Sequence, residues 1–205
     1  ALTGGASGPL LQKQLDTTGG DYRIRISLAS DDELVLSGLG YRYEDFLRVL
    51  SRLRNEMVLD DMLMEESLKK SGVDAEYSHR RAEADTVRSG PCEIRLYETA
   101  VVLIPELGDI LRIPFCYLSD VGVEGHSLVL TTDQGDRIVL SMMGRQLDST
   151  ARAFSETLNK LSLKVQSTIE AFAPETDPLT VRRISRLMKE GRAARRADID
   201  AIDPG

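Results

Sequence analysis

Residues 92–144 read CEIRLYETAVVLIPELGDILRIPFCYLSDVGVEGHSLVLTTDQGDRIVLSMMG. Short apolar runs alternate here with turn formers. The breaks at Pro105-Glu106-Leu107-Gly108-Asp109, Gly125 and Asp133-Gln134-Gly135-Asp136 leave candidate strands at 92–97, 99–104, 110–115, 117–123, 127–132 and 137–142. Connections this short pair neighbours antiparallel, because a parallel pair needs a crossover of about a dozen residues or more. The stretch therefore predicts an antiparallel sheet or barrel.

Downstream, Gly144 closes the last strand, and Asp148 or Ser149 is an N-cap candidate for a long helix. Phe154, Leu158, Leu161, Val165, Ile169 and Phe172 form one apolar stripe along it, up to Pro174. Asp177-Pro178 then has the pattern of an N-cap with proline at the first helical position, opening a helix to about Glu190. A further short helix is expected within 192–202, so residues 177–205 read as a basic helical tail.

Upstream, Ile24, Ile26 and Leu28 alternate with Arg23, Arg25 and Ser27, and Leu34-Val35-Leu36 follows a Ser30-Asp31-Asp32 turn. The region 21–70 is therefore expected as a hairpin plus a long helix, 43 to about 70, with Phe46, Leu50, Leu53 and Met57 on one face. Residues 71–91 are polar and aperiodic, which predicts a flexible linker. Residues 1–20 are glycine-rich and predict a flexible leader.

Sliding the chain against itself by 104 residues aligns 22–59 with 126–163 without gaps. ELVLSGLG at 33–40 falls on RIVLSMMG at 137–144, and nine of the 38 pairs are identical. About two would arise by chance at ordinary composition. This predicts a duplicated strand–strand–helix unit in which only the second copy has a full set of strands before it.

The segment 92–163 resembles the pleckstrin-homology-like superfamily, in its GRAM and bacterial PH branches. The carrying residues are Ala100-Val101-Val102-Leu103-Ile104, Arg112-Ile113-Pro114-Phe115, Leu118-Ser119-Asp120-Val121, Leu128-Val129-Leu130, Gly135 through Leu140, and the helix after them. The resemblance implies an α+β fold: an antiparallel PH-like barrel or sheet over 92–173, closed by the long helix. An additional strand–strand–helix unit stands before it and short helices after it. The closing helix lacks the family's tryptophan, and the turn at Glu98-Thr99 lacks the basic loop that such domains use for phosphoinositides.

The 205 residues are 41% hydrophobic and 29% charged, with a net charge of −7. That suffices for a substantial core, and net acidity argues against nucleic acid as the default partner. No apolar run approaches the ~20 residues of a membrane-spanning helix. Two cysteines are too few for a disulfide framework, which fits a reducing, cytoplasmic setting.

Catalytic constellations do not emerge from the sequence. His79, His126, Cys92 and Cys116 are widely spaced and form no ligand pair. Gly38-Leu39-Gly40 lacks the third glycine and the lysine of phosphate loops. Asp60-Asp61 and Glu65-Glu66 diverge around a helix. No cofactor, metal, catalytic residue or small-molecule ligand is therefore expected. The expectation is a non-enzymatic interaction module working through a protein partner or a second copy of itself, with an enzyme of unrecognised type as a remote reading. Its candidate interface is Val165, Ile169, Phe172, Leu59, Leu63 and Met64, apolar positions beyond the reach of a small barrel. The alternative is a membrane-surface adaptor whose anion or lipid contacts are Arg182, Arg183, Arg186, Lys189, Arg192, Arg195 and Arg196.

Overall fold

The structure, a computed structural model, describes residues 11–12, 23–27, 32–63, 66–83 and 87–203. Two compact units divide the chain, Ala1–Met64 and Glu65–Gly205.

In the second unit every strand is antiparallel to its neighbours. The strands are β4 (Leu68–Arg80), β5 (Val87–Tyr97), β6 (Ala100–Pro105), β7 (Leu111–Pro114), β8 (Leu118–Glu124), β9 (Ser127–Thr132) and β10 (Arg137–Ser141). They form one seven-stranded sheet in the order β7-β6-β5-β4-β10-β9-β8. Two meanders, β4–β7 and β8–β10, are thus joined where the first strand meets the last, with Ile138 opposite His79 and Leu140 opposite Tyr77. Helix α2 (Leu147–Phe172) follows. Phe154 is fully buried in the core, edge-on to Phe115 with ring centroids 5.9 Å apart. Leu158 and Leu161 pack at the margin of the same core. Short helices α3 (Pro178–Leu187) and α4 (Arg196–Asp200) complete the unit. The fold class is α+β.

Two expectations are corrected. The linker predicted at 71–91 is instead mostly strand, in the paired β4 and β5, with residues 84–86 outside the described residues. The buried side chains of β4 are Val73, Ala75 and His79; two of the three are small or polar, so the alternation does not register as apolar. Second, the sheet is not closed. Its edges are β7 and β8, joined in sequence by the single turn Phe115–Tyr117. The two edge strands make no ladder with each other.

The first unit holds a three-stranded sheet, β1 (Leu11–Gln12), β2 (Ile24–Ser27) and β3 (Glu33–Leu36), in that order, followed by α1 (Tyr43–Leu63). Helix α1 ends before residue 70. Ile24, Tyr43 and Leu47 make its core, with Ile26, Leu36 and Phe46 around them. The leader expected at 1–20 lies outside the described residues except at β1.

Candidate functional site between α2 and α3

Asp177 is the N-cap of α3: its Oδ1 accepts from the amides of Leu179 at 2.9 Å and Thr180 at 3.1 Å. Its bonds with Thr180, and then that with Leu179, hold the carboxyl below the usual carboxylate range. With Pro178 at the first helical position, the chain has little choice but to turn into a helix at this point. The helix then buries Val181 and Ile184 against Val165 and Ile169 of α2, with Met188, Ile199 and Ile202 at the margin.

This settles where the candidate interface residues lie. Val165 and Ile169 are covered by α3 of the same chain, which corrects the expectation that they face outward. Leu59 is buried in α1, whereas Phe172 is 88% exposed. Leu63 is the last residue of α1, and Met64 lies outside the described residues.

Two recesses flank the α2–α3 seam and share Ser162, Ser185 and Arg186. One, of about 230 Å³, is mainly apolar, lined by Phe115, Cys116, Leu118, Leu158, Leu161 and Val165, with Lys189 and Glu190 also on its wall. The other, of about 480 Å³, is lined by Asn159, Ser162, Leu163 and Gln166 of α2 and by Arg182, Ser185 and Arg186 of α3. No carboxylate lines it. Arg182 and Arg186 are one turn apart on α3, so their side chains share a face. Both are exposed, and neither has an ion-pair partner among the described residues. Ser185 between them is buried, its hydroxyl donating to the Arg182 carbonyl at 3.0 Å.

The remaining cations of the basic segment have other work. Lys189 Nζ donates to the Leu118 carbonyl at 2.6 Å and lies 3.5 Å from Asp133. Burial pushes its ammonium below the ordinary lysine range. Arg192 pairs with the same Asp133 and lies over the Tyr117 ring. Together they pin the end of α3 to the β7–β8 junction and to the β9–β10 turn. Arg196 pairs with Asp200 within α4 at 3.5 Å. The charge of Arg183 contributes to lowering the Asp177 pKa, and Arg195 is exposed just before α4. On the other wall Lys164 Nζ donates to Glu190 at 2.6 Å, which raises its pKa.

The basic segment thus divides by what each residue touches, a distinction that composition does not carry. The sequence reading missed Asn159, Ser162, Gln166 and Ser185. The first three recur at helical spacing, a polar stripe beside Leu158, Leu161 and Val165, and that spacing was the available signal.

Elsewhere, His79 is not in a loop but buried in β4, its Nε2 3.4 Å from Asp136 Oδ2. Glu66 Oε1 accepts from Arg112 and from the Thr99 hydroxyl, each at 2.7 Å. Burial alone would raise the Glu66 pKa, but these bonds outweigh it and lower it. Among the described residues no three or more His, Cys, Asp or Glu side chains converge to hold a metal ion, and no helix is long and apolar enough to cross a membrane.

No family model and no curated protein matches the chain. Among solved structures, the C-terminal domain of an unknown protein from Leishmania infantum is similar at 14% identity and a TM-score of 0.36. That match spans 50% of this chain and 95% of the other.

Proposed function

We propose that the chain is a non-enzymatic interaction module with a pleckstrin-homology-like core, and that it holds a phosphorylated segment of a partner protein in the α2–α3 cleft. The core assignment draws support from the strand order and from α2 packing against the sheet, the arrangement that the sequence resemblance implies.

The observation that carries the binding reading is the pair Arg182 and Arg186, unpaired in a recess without a carboxylate. Two guanidiniums match a dianion, and a phosphorylated side chain carries about −1.5 to −2 at neutral pH. A single carboxylate would leave one arginine unmatched. The hydroxyl and amide groups on the α2 wall can donate to the remaining oxygens, and the adjoining apolar recess suits a neighbouring apolar side chain. A flat anionic membrane fits less well, because the two arginines line a recess and Lys189, Arg192 and Arg196 are spent on internal contacts.

The test is an array of phosphopeptides and their unphosphorylated counterparts, with fluorescence anisotropy on the hits. Arg182→Gln with Arg186→Gln is expected to weaken binding about tenfold or more, since each charge-assisted hydrogen bond contributes on the order of 1.5–3 kcal/mol. Arg195→Gln should leave it unchanged. Equal binding of unphosphorylated peptides, or binding of phosphatidylserine vesicles in place of any peptide, would overturn the proposal.

A further inference from the structure

Along α2 an apolar residue is followed three times by a polar one: Leu158-Asn159, Leu161-Ser162 and Val165-Gln166. These pairs recur at helical spacing, and successive residues stand about 100° apart around an α-helix. The helix therefore carries two stripes side by side. The apolar stripe lines the smaller recess and the polar stripe lines the larger one. Helix α3 and the residues just after it form the facing wall of both. Ser185 and Arg186 are common to the two, Arg182 belongs to the larger alone, and Lys189 and Glu190 to the smaller alone. The recesses are adjoining compartments of one cleft, offset along that wall by about one helical turn, about 5 Å, and stepped sideways around α2.

Their chemistry differs. The smaller compartment is floored by Phe115, Cys116 and Leu118, all buried. Its two charged wall residues are turned to partners of their own: Lys189 Nζ donates to the Leu118 carbonyl at 2.6 Å, and Glu190 accepts from Lys164 at 2.6 Å. Neither calls for a charged occupant. The volume is about 230 Å³, whereas a cavity of about 150 Å³ lined by Leu, Ile and Phe already holds a benzene ring. A branched aliphatic or aromatic side chain fits such a space, and an alanine leaves most of it empty.

We infer that the cleft reads a second residue besides the phosphorylated one: a bulky apolar side chain (Leu, Met or Phe) two positions away, seated among Phe115, Leu118, Leu158, Leu161 and Val165. This rests on the reading of Arg182 and Arg186 as the phosphate contacts. The register follows from backbone geometry. In an extended segment neighbouring side chains point to opposite faces, and every second one returns to the same face about 6.6 Å further on. That step matches the offset between the compartments. A residue one position from the phosphate faces out of the cleft. One three positions away also faces out, and lies about 10 Å off. The ligand class is therefore narrower than a phosphorylated segment: it is an extended one whose apolar residue stands in fixed register with the phosphate.

The test leaves the protein unchanged and varies the peptide. Peptides of glycine and alanine with a central phosphoserine carry a single leucine, walked over the three positions on either side, and binding to the full chain is read by fluorescence anisotropy. Leucine at the second position, before or after the phosphoserine according to the chain direction the cleft accepts, should tighten binding about tenfold or more over alanine. At the first and third positions it should change binding by about twofold or less. A photoreactive leucine analogue at the favoured position should attach to Phe115, Leu118, Leu158, Leu161 or Val165, located by mass spectrometry of the digested adduct. Phosphate-dependent binding that is indifferent to leucine, that prefers it at the first or third position, or that attaches the analogue outside this recess would overturn the inference alone. Serine peptides that bind as tightly as their phosphoserine counterparts would overturn the phosphate reading, and this inference with it.

Discussion

Ile169→Ala isolates what holds α3 in place. Ile169 is buried in a small cluster with Val165, Val181 and Ile184, separate from the main core around Phe154. The substitution removes three carbons, at about 0.8 kcal/mol for each buried one, so docking of α3 should weaken by about 2.4 kcal/mol. The residual cavity could add to this, although a site at the edge of the fold can partly collapse. A loss of that size is about a 50-fold rise in the open population of α3, at 1.4 kcal/mol per decade. Native-state hydrogen exchange should show it as faster exchange across Pro178–Leu187, with β9 and β10 unchanged, because those strands draw on the other cluster. The same variant should keep nearly all of its affinity at Arg182 and Arg186 while α3 stays mostly docked, since apparent affinity falls only with the docked fraction. Two results would refute the reasoning: α3 protection unchanged, or β9 and α3 accelerating together, which would make them one cooperative unit.

Glu66→Gln should destabilise the second unit at neutral pH, and the difference from wild type should shrink under acid. The Glu66 pKa is lowered in the folded state, so its stabilisation is fully present above the unfolded value of about 4.5 and is lost as pH falls through the lower folded value. Thermal melts between neutral pH and about pH 3 read this; a difference that grows on acidification would contradict it. Cys92, whose thiol burial pushes up to about 12, should resist alkylation near pH 8 until the protein unfolds. Labelling of native protein at Cys92 would contradict that burial. Gly144→Ala places a Cβ at φ +54° and should cost about 1–2 kcal/mol in denaturant unfolding; a neutral result would mean the turn relaxes.

Much of the second unit was legible because its strands are short, apolar and punctuated. The candidate strands at 99–104 and 127–132 overlay β6 and β9 to within a residue, since Val101, Leu103, Leu128 and Leu130 carry the apolar pattern themselves. Strand β4 was not legible. Its buried face holds Ala75 and His79, and its exposed face holds Asp74, Glu76 and Arg80, so it resembles a solvated loop until β5 and β10 flank it. The partner of the distal α2 stripe was equally hidden. Val165 and Ile169 announce an apolar face, but that α3 folds back over them depends on the turn between Ala173 and Asp177, which carries no periodicity. The two site arginines were named within a run of seven cations, and only the positions of Asp133, Leu118 and Asp200 separate the free ones from the engaged ones.

The pairing of β4 with β10 has a consequence for synthesis. Ile138 meets His79, 59 positions earlier in the chain, so the middle of the sheet is sealed by its last strand to leave the ribosome. Until then β4 presents a long unpaired edge, and non-local closure of this kind is slow compared with hairpin formation. The edge is protected meanwhile by charge. Arg80, Glu76 and Asp74 line its exposed face, and Arg80 ends opposite Arg137 in the finished ladder. That like-charge contact would repel, but Arg137 donates to Glu124 of β8 at 2.6 Å, a neighbour available only once the β8–β10 meander has formed. The nascent chain is therefore biased to assemble β8–β10 as a unit first and to dock it second, which lessens the interval in which another nascent chain could take β10's place.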